Sequence, residues 1–266
     1  MHIVWTATEN GGDRMSIDWN KTIAAIWRPR KGYLRAIENI DRIGLDQLVG
    51  IDEQKQQLCR NTERFLSAQG ANNALLWGSR GTGKSSLIKA VLNNYQAQGL
   101  RLIQVDRNDL IELPEIVDEI RELAQRFVVF CDDLTFDIGE ASYRALKSVL
   151  DGSIEAPPGN ILIYATSNRR HLLPESMDEN REARLVGDDL HLADTTEEKL
   201  ALSDRFGLWL SFYAVNWQGY LKIVDSYFPD YAGDREALHE AAKQFAMARG
   251  GTKSGRAAKQ FFKAYS

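Results

Sequence analysis

The run Ala74-Leu75-Leu76-Trp77 leads directly into Gly78-Ser79-Arg80-Gly81-Thr82-Gly83-Lys84-Ser85, and a helical pattern then continues to Gln98. No other feature constrains the fold as tightly. The eight residues fit G-x-x-x-x-G-K-S, which average residue frequencies produce by chance in about one chain in a hundred of this length. The pattern needs a strand entering the loop and a helix leaving it, because backbone N–H groups and a helix N-terminus must converge on phosphate. Gly81 and Gly83 permit the close wrap. Gly78 to Ser85, with Ser86, are therefore the expected phosphate cradle. Lys84 is expected on the β and γ phosphates as a point charge, and the Ser85 hydroxyl on Mg²⁺. The bland alternative is a glycine-rich turn.

A second strand must bring a carboxylate to the metal. Phe127-Val128-Val129-Phe130-Cys131-Asp132-Asp133 ends in two acids at the carboxyl edge, where ligands of α/β sheets bind. Asp132 is expected to hold Mg²⁺, partly through water. Asp133 is expected to orient and polarise an attacking water, a role in which Glu would reach one methylene further. A solvated strand end is the alternative. No N-K-x-D sequence follows the loop, and Asn20-Lys21-Thr22-Ile23 lies upstream without the Asp, so adenine is favoured over guanine. The expected ligands are ATP and Mg²⁺.

Further strand patterns occur at 101–105, 161–165 and 208–212, and helical patterns at 113–126 and 140–150. Their alternation predicts an α/β domain over 46–213, with a parallel sheet between helices. Residues 214–266 have helical periodicity, broken at Pro229 to Gly233 and at Gly250-Gly251, and predict a small all-α domain. Residues 1–45 read as a partly helical N-terminal extension carrying the basic, aromatic segment 27–35. Met15 is an alternative start. That segment can hold phosphates and stack bases, or it can pack its rings on the neighbouring domain; Pro29 and Gly32 argue against one unbroken helix through it.

Composition excludes several classes. The 266 residues are 44% apolar and 26% charged, as in an ordinary folded protein. A net charge of −4 provides no global field for a polyanion, so any nucleic-acid contact must be local. The apolar runs are strand-sized, so no membrane association and a cytoplasmic location are expected. Cys59 and Cys131 lack metal spacing, and four histidines are scattered without helical pairing.

Three more segments carry a family resemblance. Ile163-Tyr164-Ala165-Thr166-Ser167-Asn168 resembles the sensor 1 strand of AAA+ ATPases, and Ser203-Asp204-Arg205-Phe206 resembles their arginine-finger box. Gly255-Arg256 lies where a lid sensor 2 arginine would fall, and Leu48-Val49-Gly50-Ile51-Asp52 resembles the adenine-side segment. The longer phrases 71–78, 165–174 and 202–210 resemble a bacterial AAA+ family classed as a domain of unknown function. The resemblance covers 45–266. It implies a P-loop NTPase fold of AAA+ type with a five-stranded parallel sheet and a helical lid, and ATP hydrolysis. It implies that Leu48, Val49 and Gly50 flank adenine, that Asn168 helps place the lytic water, and that Arg256 contacts the γ-phosphate. Arg205 would act in trans in a homo-oligomer. A turn asparagine, a surface arginine and an in-chain salt bridge are the respective alternatives. Paired Asp132-Asp133 also resembles replication-initiator ATPases.

Unfolding machines of this superfamily carry an aromatic grip after the second strand, whereas this chain reads Asp106-Arg107-Asn108-Asp109-Leu110-Ile111-Glu112-Leu113. The absence of an aromatic argues against a translocating unfoldase and for a switch or loader, and the first reading is ATP hydrolysis coupled to remodelling or loading of an unidentified protein or nucleic-acid client. A binding switch with little turnover and a DNA-binding helper resembling helicase loaders are the alternatives. The acidic stretch 175–198 reads as a solvated loop or a dock for a basic partner. Thr195-Thr196-Glu197-Glu198 has capping-box spacing for a helix leading to Arg205.

Overall fold

A computed structural model describes residues 17–136, 141–152, 156–168 and 205–265. Apolar runs form the strands: β1 Ala24–Arg28, β2 Tyr33–Ala36, β3 Ala74–Gly78, β4 Leu100–Val105, β5 Arg126–Cys131, β6 Ile161–Ser167 and β7 Leu208–Phe212. They make one seven-stranded sheet in the order β2-β1-β4-β5-β6-β3-β7. Every adjacent pair is parallel except β1 with β2. Strands such as β5 and β6 are buried on both faces, which is why they read as continuous apolar runs rather than alternating ones.

The sheet has two strands more than the five expected. The additional pair comes from the N-terminal extension, whose described part is a β-hairpin rather than partly helical. Without it β4 would be an open edge; Ala24 pairs with Leu102 and Ile26 with Gln104, and the hairpin covers that edge. Its loop closes with Gly32 at φ +59, and the Gly32 N–H donates to the Arg28 carbonyl at 2.9 Å. Of the two expectations for segment 27–35, packing on the neighbouring domain holds for one ring. Trp27 is buried in the core with Leu34, whereas Tyr33 stays partly exposed.

Helices cover both faces. On one side α1 (Asp52–Leu66) and α2 (Lys84–Tyr95) bury Leu58, Phe65, Leu87, Ile88 and Val91. On the other, α3 (Leu113–Ile120) and α4 (Ala141–Asp151) bury Ile116, Ile120, Tyr143 and Leu146. The helix expected to reach Arg126 stops at Ile120, where the chain turns to enter β5.

Buried polar groups anchor α1 to the sheet. Asn61 exchanges two hydrogen bonds with the Asn72 backbone, at 2.8 and 3.0 Å, and its Nδ2 also donates to the Tyr164 hydroxyl at 3.1 Å. Thr62 Oγ1 lies 2.9 Å from the same hydroxyl. Burial pushes the Tyr164 phenol up to about 12.

After β7 come α5 (Trp217–Tyr227), α6 (Arg235–Met247) and α7 (Gly255–Tyr265), packed around Tyr220, Val224, Leu238, Ala242, Ala258 and Phe261. Asn216 and Asp234 cap the first two by accepting from Gly219 N and Glu236 N, each at 2.8 Å. The breaks read at 229–233 and 250–251 separate these helices, so the all-α reading of this region agrees with the structure. No helix among the described residues is long and apolar enough to cross a membrane. The acidic stretch and the capping box before Arg205 lie outside the described residues.

Candidate functional site

The parallel strands β3, β5 and β6 end side by side, and their carboxyl ends open into a cavity of about 600 Å³. The phosphate loop leaves β3 under tight constraint. A Cβ on Gly78 would run into the Phe212 carbonyl of β7, and Gly78, Gly81 and Gly83 all take positive φ. Gly83 is the N-cap of α2 and has no side chain to cap the helix, so the first-turn N–H groups keep their affinity for an anion.

Lys84, only 7% exposed, donates to the carbonyls of Gly78 at 2.7 Å and Ser79 at 2.8 Å, and to Asn168 Oδ1 at 3.3 Å. Desolvation lowers its pKa, while the nearby Asp132 and Asp133 oppose the shift. Asn168 also donates its Nδ2 to Asp133 Oδ1. One amide thus spans the loop lysine and the second acid.

Ser85 Oγ donates to Asp132 Oδ1 at 2.7 Å, which brings a hydroxyl and a carboxylate from different elements to one point. Among the described residues there is no cluster of three His, Cys, Asp or Glu able to form a metal cage. Two oxygen donors with room beside them suit Mg²⁺, which keeps waters and is held by one or two carboxylates plus substrate phosphates. The residues present fit that ion.

Thr166 is the member of this cluster that sequence reasoning missed. Its hydroxyl donates to Asp132 Oδ1 at 2.5 Å and accepts from Asp133 N at 2.9 Å, and its carbonyl accepts from Leu134 N at 2.6 Å. It sits two residues before Asn168 on β6, and strand period two was the available signal. Asp133 itself takes φ +56, a left-handed conformation that Asp tolerates better than most residues. Arg80 lies 4.0 Å from Asp133, but both are exposed and the pair contributes little.

Of the adenine-side residues, Leu48 and Val49 line the cavity with Ile51, while Gly50 turns the chain into α1 at φ +79 without lining it. Gly78 and Ser79 act through their carbonyls from behind the wall; Arg80 to Ser86 form the wall itself. Arg256 lines the cavity from α7, and its position is fixed by Gly255 N donating to Gly81 O at 3.1 Å and by Ser254 packing on Gly81. Arg205 does not line the cavity. It pairs with Asp151 at the end of α4, the in-chain contact that had been the alternative to a finger. Also missed were Asp41 and Ile43 from the N-terminal segment and Ile223 and Tyr227 from α5, which line the same cavity. Tertiary packing brings them in, and no local pattern marks them.

The chain was compared with known proteins. The family described as "Protein of unknown function (DUF815)" matches residues 20–266. The proteasome-activating nucleotidase of Methanosarcina mazei is 28% identical over 194 residues, 62% of this chain and 46% of that protein. The chain therefore spans about half the length of the curated relative it matches. Among solved structures, the ORC1 protein of Aeropyrum pernix in complex with DNA superposes with a TM-score of 0.54 at 16% identity, covering 79% of this chain and 58% of that one. A RuvB point mutant of Thermotoga maritima gives 0.50 at 13% identity, covering 83% and 71%. At these identities the likeness is one of fold. The fold is that of AAA+ P-loop ATPases, and by a match over nearly its whole length the chain belongs to the DUF815 family.

Proposed function

We propose that this cavity binds ATP with Mg²⁺ and that the chain hydrolyses it. The observation that carries the proposal is the Asn168 amide, hydrogen-bonded at once to Lys84 and Asp133, beside the Ser85–Asp132 pair. A terminal phosphate resting against Lys84 would therefore lie next to the acid suited to take a proton from water. Lys84 exchanges its contacts with the Gly78 and Ser79 carbonyls for phosphate oxygens. Asp132 and Ser85 would hold Mg²⁺, which would supply charge neutralisation to the phosphoryl group. Asp133 aligns a water for in-line attack, the bond from the terminal phosphorus to the ADP oxygen breaks, and the water's proton passes to Asp133 and on to solvent. Arg256, from the helical lid, adds positive charge over the same phosphate.

Leu48, Val49, Ile51, Ile223 and Tyr227 supply an apolar slot for adenine. Arg205 leaves its partner Asp151 to reach a neighbouring copy's site, which makes turnover depend on self-association. Energy from the cycle drives remodelling or loading of a macromolecular client in the cytoplasm. A second reading, a switch with slow turnover, is favoured by Asp133 standing where a longer acid would reach further.

Phosphate release with labelled ATP tests the reading. Lys84→Ala is expected to lose tight binding, whereas Asp133→Asn keeps binding and loses turnover by about 100-fold or more. Unchanged turnover in both variants would overturn the assignment.

A further inference from the structure

The β1–β2 hairpin presents a feature that the nucleotide chemistry does not use. In the antiparallel register Trp27 faces Leu34, and both turn into the core. The alternate pairs, Ile26 with Arg35 and Arg28 with Tyr33, therefore share the opposite face of the ribbon. Arg28 and Arg35 are exposed there, with the Tyr33 ring partly exposed between them, and Arg30 and Lys31 are exposed in the loop that joins the strands. Among the described residues, none of these four cations has an ion-pair partner; the one hydrogen bond from the group runs from Arg35 Nη1 to the adjacent Ala36 carbonyl at 3.4 Å. The first acid after β4, Asp106, uses its carboxylate to accept from Asn108 N.

We infer that this strip binds single-stranded nucleic acid. The pattern is one partly exposed tyrosine ring with guanidinium groups on the same face of a β-ribbon, in a chain whose overall charge is −4. Such a surface tracks phosphates through its cations and stacks a base on its ring, which a surface binding acidic protein does not require. Ordinary packing leaves the arrangement unexplained: the core takes Trp27 and Leu34 from this ribbon, and the outer face could carry any polar residues. Position adds a second argument. Residues 37–43 run from β2 along the α2 side, where Asn93 Nδ2 holds the carbonyls of Asp41 and Ile43 at 2.9 Å each, and both residues line the nucleotide cavity. The strip is thus continuous in sequence with the cavity wall. The inference goes beyond the ATPase reading and does not depend on turnover.

The test is fluorescence anisotropy of the full chain with a labelled oligothymidine of about 20 nucleotides, long enough for one such strip. Wild type is expected to bind with an affinity that falls with salt, with a log–log slope of about −0.7 per phosphate neutralised and so about −3 for four cations. Replacing Arg28, Arg30, Lys31 or Arg35 singly by Ala should each flatten that slope by about 0.7. Tyr33→Ala should weaken binding about 10-fold while Tyr33→Phe retains it, as loss of one stacked base predicts. Circular dichroism and ATP binding, unchanged in these surface variants, exclude unfolding as the cause. No binding by wild type at low salt overturns the inference, as does binding that survives Arg28→Glu with Arg35→Glu. Equal binding of duplex DNA with no effect of Tyr33→Ala, or capture by anionic vesicles in place of the oligonucleotide, overturns it as well.

Discussion

At the scale of single residues, the candidate site is organised by groups that serve two partners at once. Thr166 holds the Asp132 carboxylate with its proton and the Asp133 N–H with its lone pair. Thr166→Val keeps the shape and removes both bonds, leaving an N–H without its acceptor. It is expected to destabilise the fold by about 1–3 kcal/mol and to weaken Mg²⁺-dependent nucleotide binding. Thr166→Ser should restore most of both, and chemical denaturation with Mg²⁺ titration reads the two effects separately. Asp133 is legible as the second acid after an apolar strand. Its left-handed backbone is not, because that conformation comes from Thr166 on a neighbouring strand. The same backbone accounts for Asp in place of Glu: φ +56 is a conformation that a short polar side chain accepts more readily.

Lys84 adds a pH dependence. Desolvation lowers its pKa in the free protein, and phosphate oxygens would raise it again, so binding requires the charged form. Affinity for ATP is then fully present below the lowered pKa and falls as pH rises through it, at a lower pH than an ordinary lysine would give. Binding isotherms across the alkaline range check this. Lys84→Arg, which stays charged, should remove the fall even if its affinity is lower throughout.

At the scale of elements, the parallel sheet follows from the alternation of apolar runs and amphipathic helices, and the core strands are readable because they are buried on both faces. The hairpin is not readable in the same way. β1 and β2 are five and four residues long; β1 owes its strand state to pairing with β4, a partner far away in sequence, and β2 to pairing with β1. Pro29 and Gly32 marked a break, and only the structure shows that the break is a hairpin loop. α1 is fastened by Asn61 and Thr62 to the Tyr164 hydroxyl. Tyr164→Phe keeps the ring and strips two buried polar groups of a common partner. A loss of about 1–3 kcal/mol is expected in urea unfolding, with an unchanged m-value.

At the scale of the whole molecule, the phosphate loop and the helical lid meet over the cavity. Gly81 is the contact: a Cβ there would lie 3.0 Å from Ser254, and the residue also sits at φ +76. Gly81→Ala is expected to displace α7 with Arg256 and to lower ATP affinity by about 10-fold, a strain of about 1–3 kcal/mol expressed in binding. The chain's own Arg205 is paired with Asp151 and stands outside the cavity, so in the proposed function it serves the site of a neighbouring copy rather than its own. The loop and the acids could be placed from their spacing along the chain, and Arg256 from the family resemblance. Closure of the wall by Asp41, Ile43, Ile223 and Tyr227 could not, since it depends on how two segments distant in sequence pack beside the loop.

The most direct test is ATP turnover with Mg²⁺ as a function of protein concentration, for wild type and Arg205→Ala. Mg²⁺-dependent phosphate release is expected, with a specific rate that rises with concentration in wild type and stays flat and low in Arg205→Ala. ATP bound tightly but released unhydrolysed at every concentration would contradict it.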